Sequence, residues 1–328
     1  MIRILHCTKG GTCRENVRPE QLAQLLNEDY GLIWMDLGNE PVADCDSLLR
    51  EVFGFHPLAV DDALNESHAP KIDDWGNYLY VVLHDVSYDP GRDKTMILPE
   101  LDIFVGSAYL VTYHSETIAA IERVWESCQR DDRLLKHGSD HILYRIADEL
   151  AVDYTRVVDR MEEEMDKIED RIFSNPAPDI LERIFDLKRP VLHLRRTIGQ
   201  QREVLNKLAR DDYAVIDPRD QIYFRDVYDH LIRLYDIVEG MRDLVGGALD
   251  TYLSVVNNRM NDIMKTLTII TTLFMPLSFL TGFFGMNFFG PVIDLPFWTG
   301  RFMFLLLMFS MISLPFLMFW WMRRRSWM

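Results

Sequence analysis

Residues 252–288 read YLSVVNNRMNDIMKTLTIITTLFMPLSFLTGFFGMNF, and from Thr266 to Ile293 no charged side chain occurs. A second uncharged run extends from Phe302 to Met322. As a helix, each run is long enough to cross a hydrocarbon core of about 30 Å. Upstream, Asp217-Pro218 is a helix start signal, since aspartate can accept orphan amide bonds and proline suits the first helical position. No strong breaker follows before Pro276. The expectation is one helix from Pro218 to Gly285, roughly 100 Å long at the α-helical rise. It would comprise a stalk over 218–265 and a first membrane segment over 266–289. An external loop at 290–300, a second membrane helix at 301–322 and a basic tail at 323–328 complete the C-terminal part.

Charge separates this tail from the rest of the 328 residues. The whole chain carries −16 and the residues from Thr266 onward +3, which leaves −19 on residues 1–265. Basic residues flank the hydrophobic pair, Lys265 before it and Arg323-Arg324-Arg325 after it, whereas Asp294 and Arg301 balance in the connection. The positive-inside rule therefore predicts cytosolic N and C termini in a multi-pass protein of the plasma (inner) membrane. Trp298, Trp320, Trp321 and Trp327 suit the two interfaces. The opening MIRILHCTKGG is too short in its apolar stretch to be a secretory leader. Length and hydrophobic content exclude a disordered tail or a small disulfide scaffold, and the acidic balance opposes nucleic-acid binding. Cys7, Cys13, Cys45 and Cys128 form no CxxC or Cys/His cluster, and in a reducing compartment all four read as thiols.

Residues 1–139 mix short strands with helical pieces, the pattern of an α/β cytosolic domain within an α+β membrane protein. Gly31–Met35, Tyr78–Leu83, Leu101–Val105 and Tyr109–Tyr113 read as strands, and Pro19–Leu26 and Asp46–Val52 as helical. Residues 140–217 read as a pair of long charged helices, interrupted at Ser174–Pro178 and again from Asp211. Neither GxxxxGK[ST] nor a strand-linked GxGxxG occurs, so no organic cofactor is expected.

At 100° per residue, Asp250, Leu253, Asn257, Met264, Thr268, Thr271, Met275, Ser278 and Gly282 share an arc of roughly ±40° on the long helix. Asn261 is assigned to the same lining. This face mixes polar, small and thioether side chains, while the second run is almost wholly Phe, Leu, Met and Trp and suits lipid. Thr and Ser can also bond back to their own helix, and small residues can simply pack against a neighbour. Two helices cannot enclose a water path alone, so a pore requires a symmetric ring of copies. Gly285-Met286-Asn287 closes the face, with glycines that let helices converge and an amide at the mouth.

These residues resemble the CorA-type magnesium transporters, with their Gly-Met-Asn signature. The resemblance is carried by HPLAVDDALN (56–65), PKIDDWGNYLYVVLH (70–84), YFRDVYDHL (223–231), the 252–288 stretch and the basic ending. It implies a funnel-shaped homopentamer in the lipid bilayer with a central pore for divalent cations. By position it implies a selectivity filter at Gly285, Met286 and Asn287, and a conduction path along Ser278, Met275, Leu267, Met264 and Asp250. It further implies Mg²⁺ as both cargo and regulator, held between Asp61 and Asp62 of one subunit and Asp226 and Asp229 of the next, with Asp148 nearby. Spacing supports only Asp226 and Asp229, which share a helical face; solvated or capping aspartates are the alternative. The loop FFGPVIDLPFW departs from the acidic MPEL-like loop of many members, with Asp294 its single acid.

Two other functions stay open. The same fold could import Zn²⁺, Co²⁺ or Ni²⁺, with or without proton coupling. No His or Cys lines the predicted pore, which favours Mg²⁺, although Met264 and Met275 are thioethers. A membrane-anchored coiled-coil scaffold would account for the charged helices but not for the polar stripe. An enzyme is not expected, because His56, His84, His114 and His230 show no metalloprotease spacing or nucleophile partner.

Overall fold

The computed structural model describes residues 2–8, 13–15, 21–22, 25, 31–65, 68–88, 96–131, 133–286 and 300–325. It divides into two units, residues 1–251 and 252–328. The first is built on a seven-stranded sheet whose central strands are near-continuous apolar runs, as expected where both faces are covered. Strand β5 (Tyr78–His84) is buried at every position, and β8 (Glu100–Gly106) and β9 (Tyr109–His114) at all but their first. With β1 (Ile2–Cys7), β2 (Cys13–Glu15), β3 (Leu32–Gly38) and β4 (Lys71–Asp74), the order is β2-β1-β3-β9-β8-β5-β4. Only the β3–β9 pair is parallel. A separate two-stranded ribbon joins β6 (Ser87–Tyr88) to β7 (Met96–Ile97).

The period-two alternation of the strands divides their side chains between two layers. On one face Ile33, Met35, Tyr80, Phe104 and Val111 pack with helix α1 (Val42–Ser47), the π-helical turn Leu48–Val52 that continues it, and α2 (Pro57–Asn65). Phe55 stacks on Phe104 with ring centroids 4.3 Å apart. On the other face Trp34 meets Trp125 of α3 (Ala119–Arg130) at 4.8 Å. After the short α4 (Arg133–Lys136), the hairpin of α5 (Ser139–Ser174) and α6 (Pro178–Arg210) is tied to the sheet through β5. The amide of His84 donates to Gln201 Oε1 at 3.0 Å, and the hydroxyl of fully buried Tyr154 donates to the His84 carbonyl at 3.1 Å.

A polar network seals the start of β1. Arg3 donates to Asp36 at 2.8 Å and forks onto both oxygens of Glu122 at 2.7 Å, and Thr112 donates to Asp36 at 2.6 Å. Burial alone would raise Asp36, but the hydrogen bonds and charges of His114, Thr112 and Arg3 hold its carboxyl below the usual range.

Two expectations are corrected. The long helix α7 runs from Gln221 to Gly285 and starts three residues later than Pro218. Residues 217–220 form a turn closed by Asp220 N–H to Asp217 O at 2.8 Å, and Asp220 O then accepts from Tyr223 and Phe224. Asp217 serves this turn, accepting from Arg219 N–H at 2.8 Å, so the cap signal was real but marked the turn before the helix. Cys7 is disulfide-bonded, whereas Cys45 and Cys128 are free thiols. The hairpin register sets Cys7 opposite Cys13, a juxtaposition that spacing along the chain does not reveal. Of the expected Pro19–Leu26 helix, only residues 21, 22 and 25 lie within the described residues.

The second unit holds the rest of α7 and helix α8 (Arg301–Arg324). Both helices are long and apolar enough to cross a membrane, and they accommodate Pro276 and Pro315 in their interiors.

Asp85, buried after β5, provides a test of the first unit. Burial and the neighbouring Asp153 carboxylate, with which it shares a hydrogen bond, push it up to about 6 from an ordinary 3.8. The folded chain therefore holds a proton that the unfolded chain releases, so this carboxyl's contribution is full below about pH 4 and is lost as pH rises through about 6. Asp85→Asn keeps a neutral donor at every pH. It should stabilise the protein by on the order of 2 kcal/mol at pH 7.5 and not at pH 4. Thermal unfolding at the two pH values checks this, and an equal or lower Tm at pH 7.5 would contradict it.

Candidate functional site

The predicted pore positions from Asn257 onward lie in the second unit, and Asp250 in the first. Asn257, Asn261, Thr268, Thr271, Ser278 and Gly282 are exposed, as are Met264, Leu267 and Met275 at 59%, 62% and 70%. Ile263 and Phe274 on other faces are exposed as well, so among the described residues neither the polar stripe nor the apolar flanks are covered. Gly282 and Gly285 have open space where a Cβ would stand, so nothing among the described residues requires glycine there. Met286 is exposed, whereas Asn287 and Asp294 lie outside the described residues.

The two threonines of the predicted pore face spend their protons locally. Thr268 donates to the Met264 carbonyl at 2.8 Å and Thr271 to the Leu267 carbonyl at 2.9 Å. This is the back-bonding expected of hydroxyls in apolar surroundings. It leaves their oxygens able to accept but not to donate, which matters for any ligand that arrives wrapped in water.

The five candidate regulatory aspartates lie in the first unit. Helix α2 buries Ala59, Val60, Ala63 and Leu64, which leaves Asp61 exposed and Asp62 half-buried on its outer side. Each already has a cationic partner within the chain. Arg50 bonds Asp61 at 2.6 Å and Asp46 at 2.6 Å, and Lys71 bonds Asp62 at 2.5 Å. On α7, Phe224, Val227 and Leu231 are buried, so Asp226 and Asp229 are exposed on the opposite side, as their spacing predicted. Asp148 on α5 pairs with Arg145 at 3.1 Å. Burial raises its carboxyl above the ordinary range; Glu149 and Asp226 add repulsion, and Arg145 and His230 oppose it. The chain thus brings Asp148 into the field of Asp226, while Asp61 and Asp62 are held by Arg50 and Lys71. Among the described residues no three His, Cys, Asp or Glu side chains are grouped to hold a metal within one chain.

Sequence reasoning missed Arg50 and Lys71. Lys71 belongs to the quoted PKIDDW segment, and the strand alternation of Lys71-Ile72-Asp73-Asp74 was the available signal. It also missed Asp220, where burial and the charges of Asp140 and Asp217 push the carboxyl up to about 6 at the root of α7.

A family model of CorA-like Mg²⁺ transporter proteins matches residues 29–324. The cobalt/magnesium transport protein CorA of Thermotoga maritima is 35% identical over 256 residues, covering 78% of this chain and 73% of that one. Its namesake in Methanocaldococcus jannaschii is 27% identical over 290 residues, covering 88% and 89%. The fold matches the complete structure of the CorA magnesium transporter from Methanocaldococcus jannaschii with a TM-score of 0.82, over 100% of this chain and 99% of that one at 24% identity. With that family's model matching from the third strand to the end of the last helix, the chain belongs to the CorA-like Mg²⁺ transporter proteins.

Proposed function

We propose that this chain imports Mg²⁺ as a homopentamer, through a pore lined by the first membrane segment. The observation that carries the reading is the stripe of amide, hydroxyl, thioether and glycine positions that ends at Gly285-Met286-Asn287. Among the described residues, this stripe is exposed. Fivefold repetition around α7 would cover it and leave α8 to the lipid. Both termini lie in the cytosol, as the charge asymmetry directs.

Mg²⁺ dehydrates reluctantly and prefers octahedral oxygen coordination. A pore that passes it with its water attached must offer acceptors, because the bound waters present only hydrogens. Thr268 and Thr271, with their protons committed to the helix, are acceptors of this kind. A ring of Asn287 amide oxygens completes the series at the mouth. A carboxylate ring there would hold a divalent ion more tightly and slow its release, whereas conduction needs weak sites. Met264, Leu267 and Met275 form hydrophobic constrictions that close by dewetting. The membrane potential supplies about 4.6 kcal/mol per 100 mV for a double charge, twice the single-charge figure.

Cytosolic Mg²⁺ closes the pore. Five regions of −19 around one axis repel each other unless cations bridge them. Asp61 and Asp62 of one subunit and Asp226 and Asp229 of the next, with Asp148 behind them, supply the bridging oxygens. When internal Mg²⁺ falls, these bridges empty and the constrictions rewet. Co²⁺ is a second cargo, in keeping with the cobalt/magnesium names of the relatives. A Zn²⁺ or Ni²⁺ transporter is the competing reading and draws its support from the two thioethers.

Purified protein in proteoliposomes should take up Mg²⁺, and Asn287→Ala should lose most of that flux or its preference for Mg²⁺. Competition with Zn²⁺, Co²⁺ and Ni²⁺ ranks the cargoes. Robust Zn²⁺ entry without Mg²⁺ entry would move the assignment to zinc, and no flux of any ion would restore the scaffold. Separately, Asp62→Ala and Asp226→Ala should each raise the internal Mg²⁺ needed for half-maximal inhibition; unaltered inhibition in both variants would refute these sites as sensors.

A further inference from the structure

Lys71 sits on β4, the edge strand of the sheet, beside the helix that carries the candidate sensor acids. Its Nζ lies 2.5 Å from Asp62 Oδ2 and 3.2 Å from Asp73 Oδ2, and 5.1 Å from the ring centroid of Tyr80. The register explains the grouping: Asp73 stands opposite Tyr80, and Lys71 two residues away shares its face. The ring below and a carboxylate on either side fix the ammonium against Asp62. The side chains of Lys71 and Asp62 are 26% and 30% exposed, so the pair is reachable by solvent ions but not fully hydrated. His68 Nε2 stands 3.8 Å from the same Asp62 oxygen, and Glu100 beyond it accepts the His68 amide at 3.0 Å.

We propose that Lys71 is a tethered competitor of the divalent cation at Asp62, setting the Mg²⁺ concentration at which the clamp fills. The inference rests on the reading of Asp62 as a sensor ligand and deepens it. A carboxylate that binds Mg²⁺ must either release the ammonium or share its charge with it, and both weaken the site. The ammonium, flanked by the carboxylates of Asp62 and Asp73, is the positive charge that the incoming ion must displace. The empty clamp is not a bare carboxylate but an internal ion pair, and filling it is an exchange of one cation for another. Arg50 stands in the same relation to Asp61 at 2.6 Å, so both acids of the pair meet the ion already engaged. A sensor built this way responds to abundant ions and ignores traces, which suits a cation present at high cytosolic concentration.

The test is calorimetric titration of full-length, detergent-solubilised protein with MgCl₂, comparing wild type with Lys71→Gln, Lys71→Arg and Asp62→Asn. Removing an exposed partner's charge should tighten the apparent Kd of Lys71→Gln by up to about fivefold. Lys71→Arg, which keeps the charge, should titrate like wild type, and Asp62→Asn should weaken or abolish the same binding. An unchanged or weaker Kd in Lys71→Gln, with Asp62→Asn defective, overturns the competitor while sparing the sensor. An Asp62→Asn protein that binds like wild type removes the sensor reading itself, and this inference with it. A thermal scan of each variant confirms that it is folded before titration. In a double-mutant cycle, Lys71→Gln must have no effect once Asp62 is Asn; an effect that survives overturns the proposed route through Asp62.

Discussion

Inside hydrocarbon a polypeptide must satisfy its own backbone, because no water is there to do so. That constraint accounts for the form of the second unit: two uninterrupted helices, and hydroxyls turned back onto carbonyls four residues earlier. It also makes the polar stripe costly in isolation. Amides, hydroxyls and glycines facing lipid offer it poor contact, and the proposed ring of copies would give that face both protein and water as neighbours.

The first unit meets the opposite problem, an excess of negative charge that water and cations must manage. It does so locally wherever it can. Arg3 neutralises Asp36 and Glu122, Arg123 bonds Glu149 and Asp153 at 2.6 Å, Arg195 pairs with Glu239, and Arg50 and Lys71 take Asp61 and Asp62. Exposed Asp226 and Asp229 stand out against this background. The proposed regulation by a mobile cation would need acids whose internal compensation is weak enough to be replaced, and the half-exposed pairs of α2 and β4 are of that kind.

Much of this architecture was legible in the residues. Strands β5, β8 and β9 announce themselves through near-continuous apolar runs, and α5, α6 and α7 through long helical periodicity between Pro-containing breaks. Several shorter elements were hidden for physical reasons. Strand β1 carries Arg3 and His6, which lowers its apolar signal, and the buried Asp36 that receives Arg3 lies in another strand. Helix α2 is nine residues long and amphipathic over barely two turns, too short for periodicity to decide. The cap of α7 was misplaced because Asp217-Pro218 serves a turn, while Asp220 three residues later starts the helix. Periodicity singled out the stripe on α7 without showing what it faces, since that depends on neighbours a single chain does not contain. The candidate sensor acids were named by resemblance, but the lysine and arginine partners of Asp62 and Asp61 emerge only when the sheet edge and α2 are brought together.

Pro276 has one more implication. Proline has no amide hydrogen, so the carbonyl of Thr272 loses its usual partner in the middle of a membrane-spanning helix. The loss falls in the turn that also holds Thr271 and Met275 and weakens the helix there. Bending of the helix would concentrate there as curvature, and in the proposed pore it would shift the Met275 thioether relative to the axis.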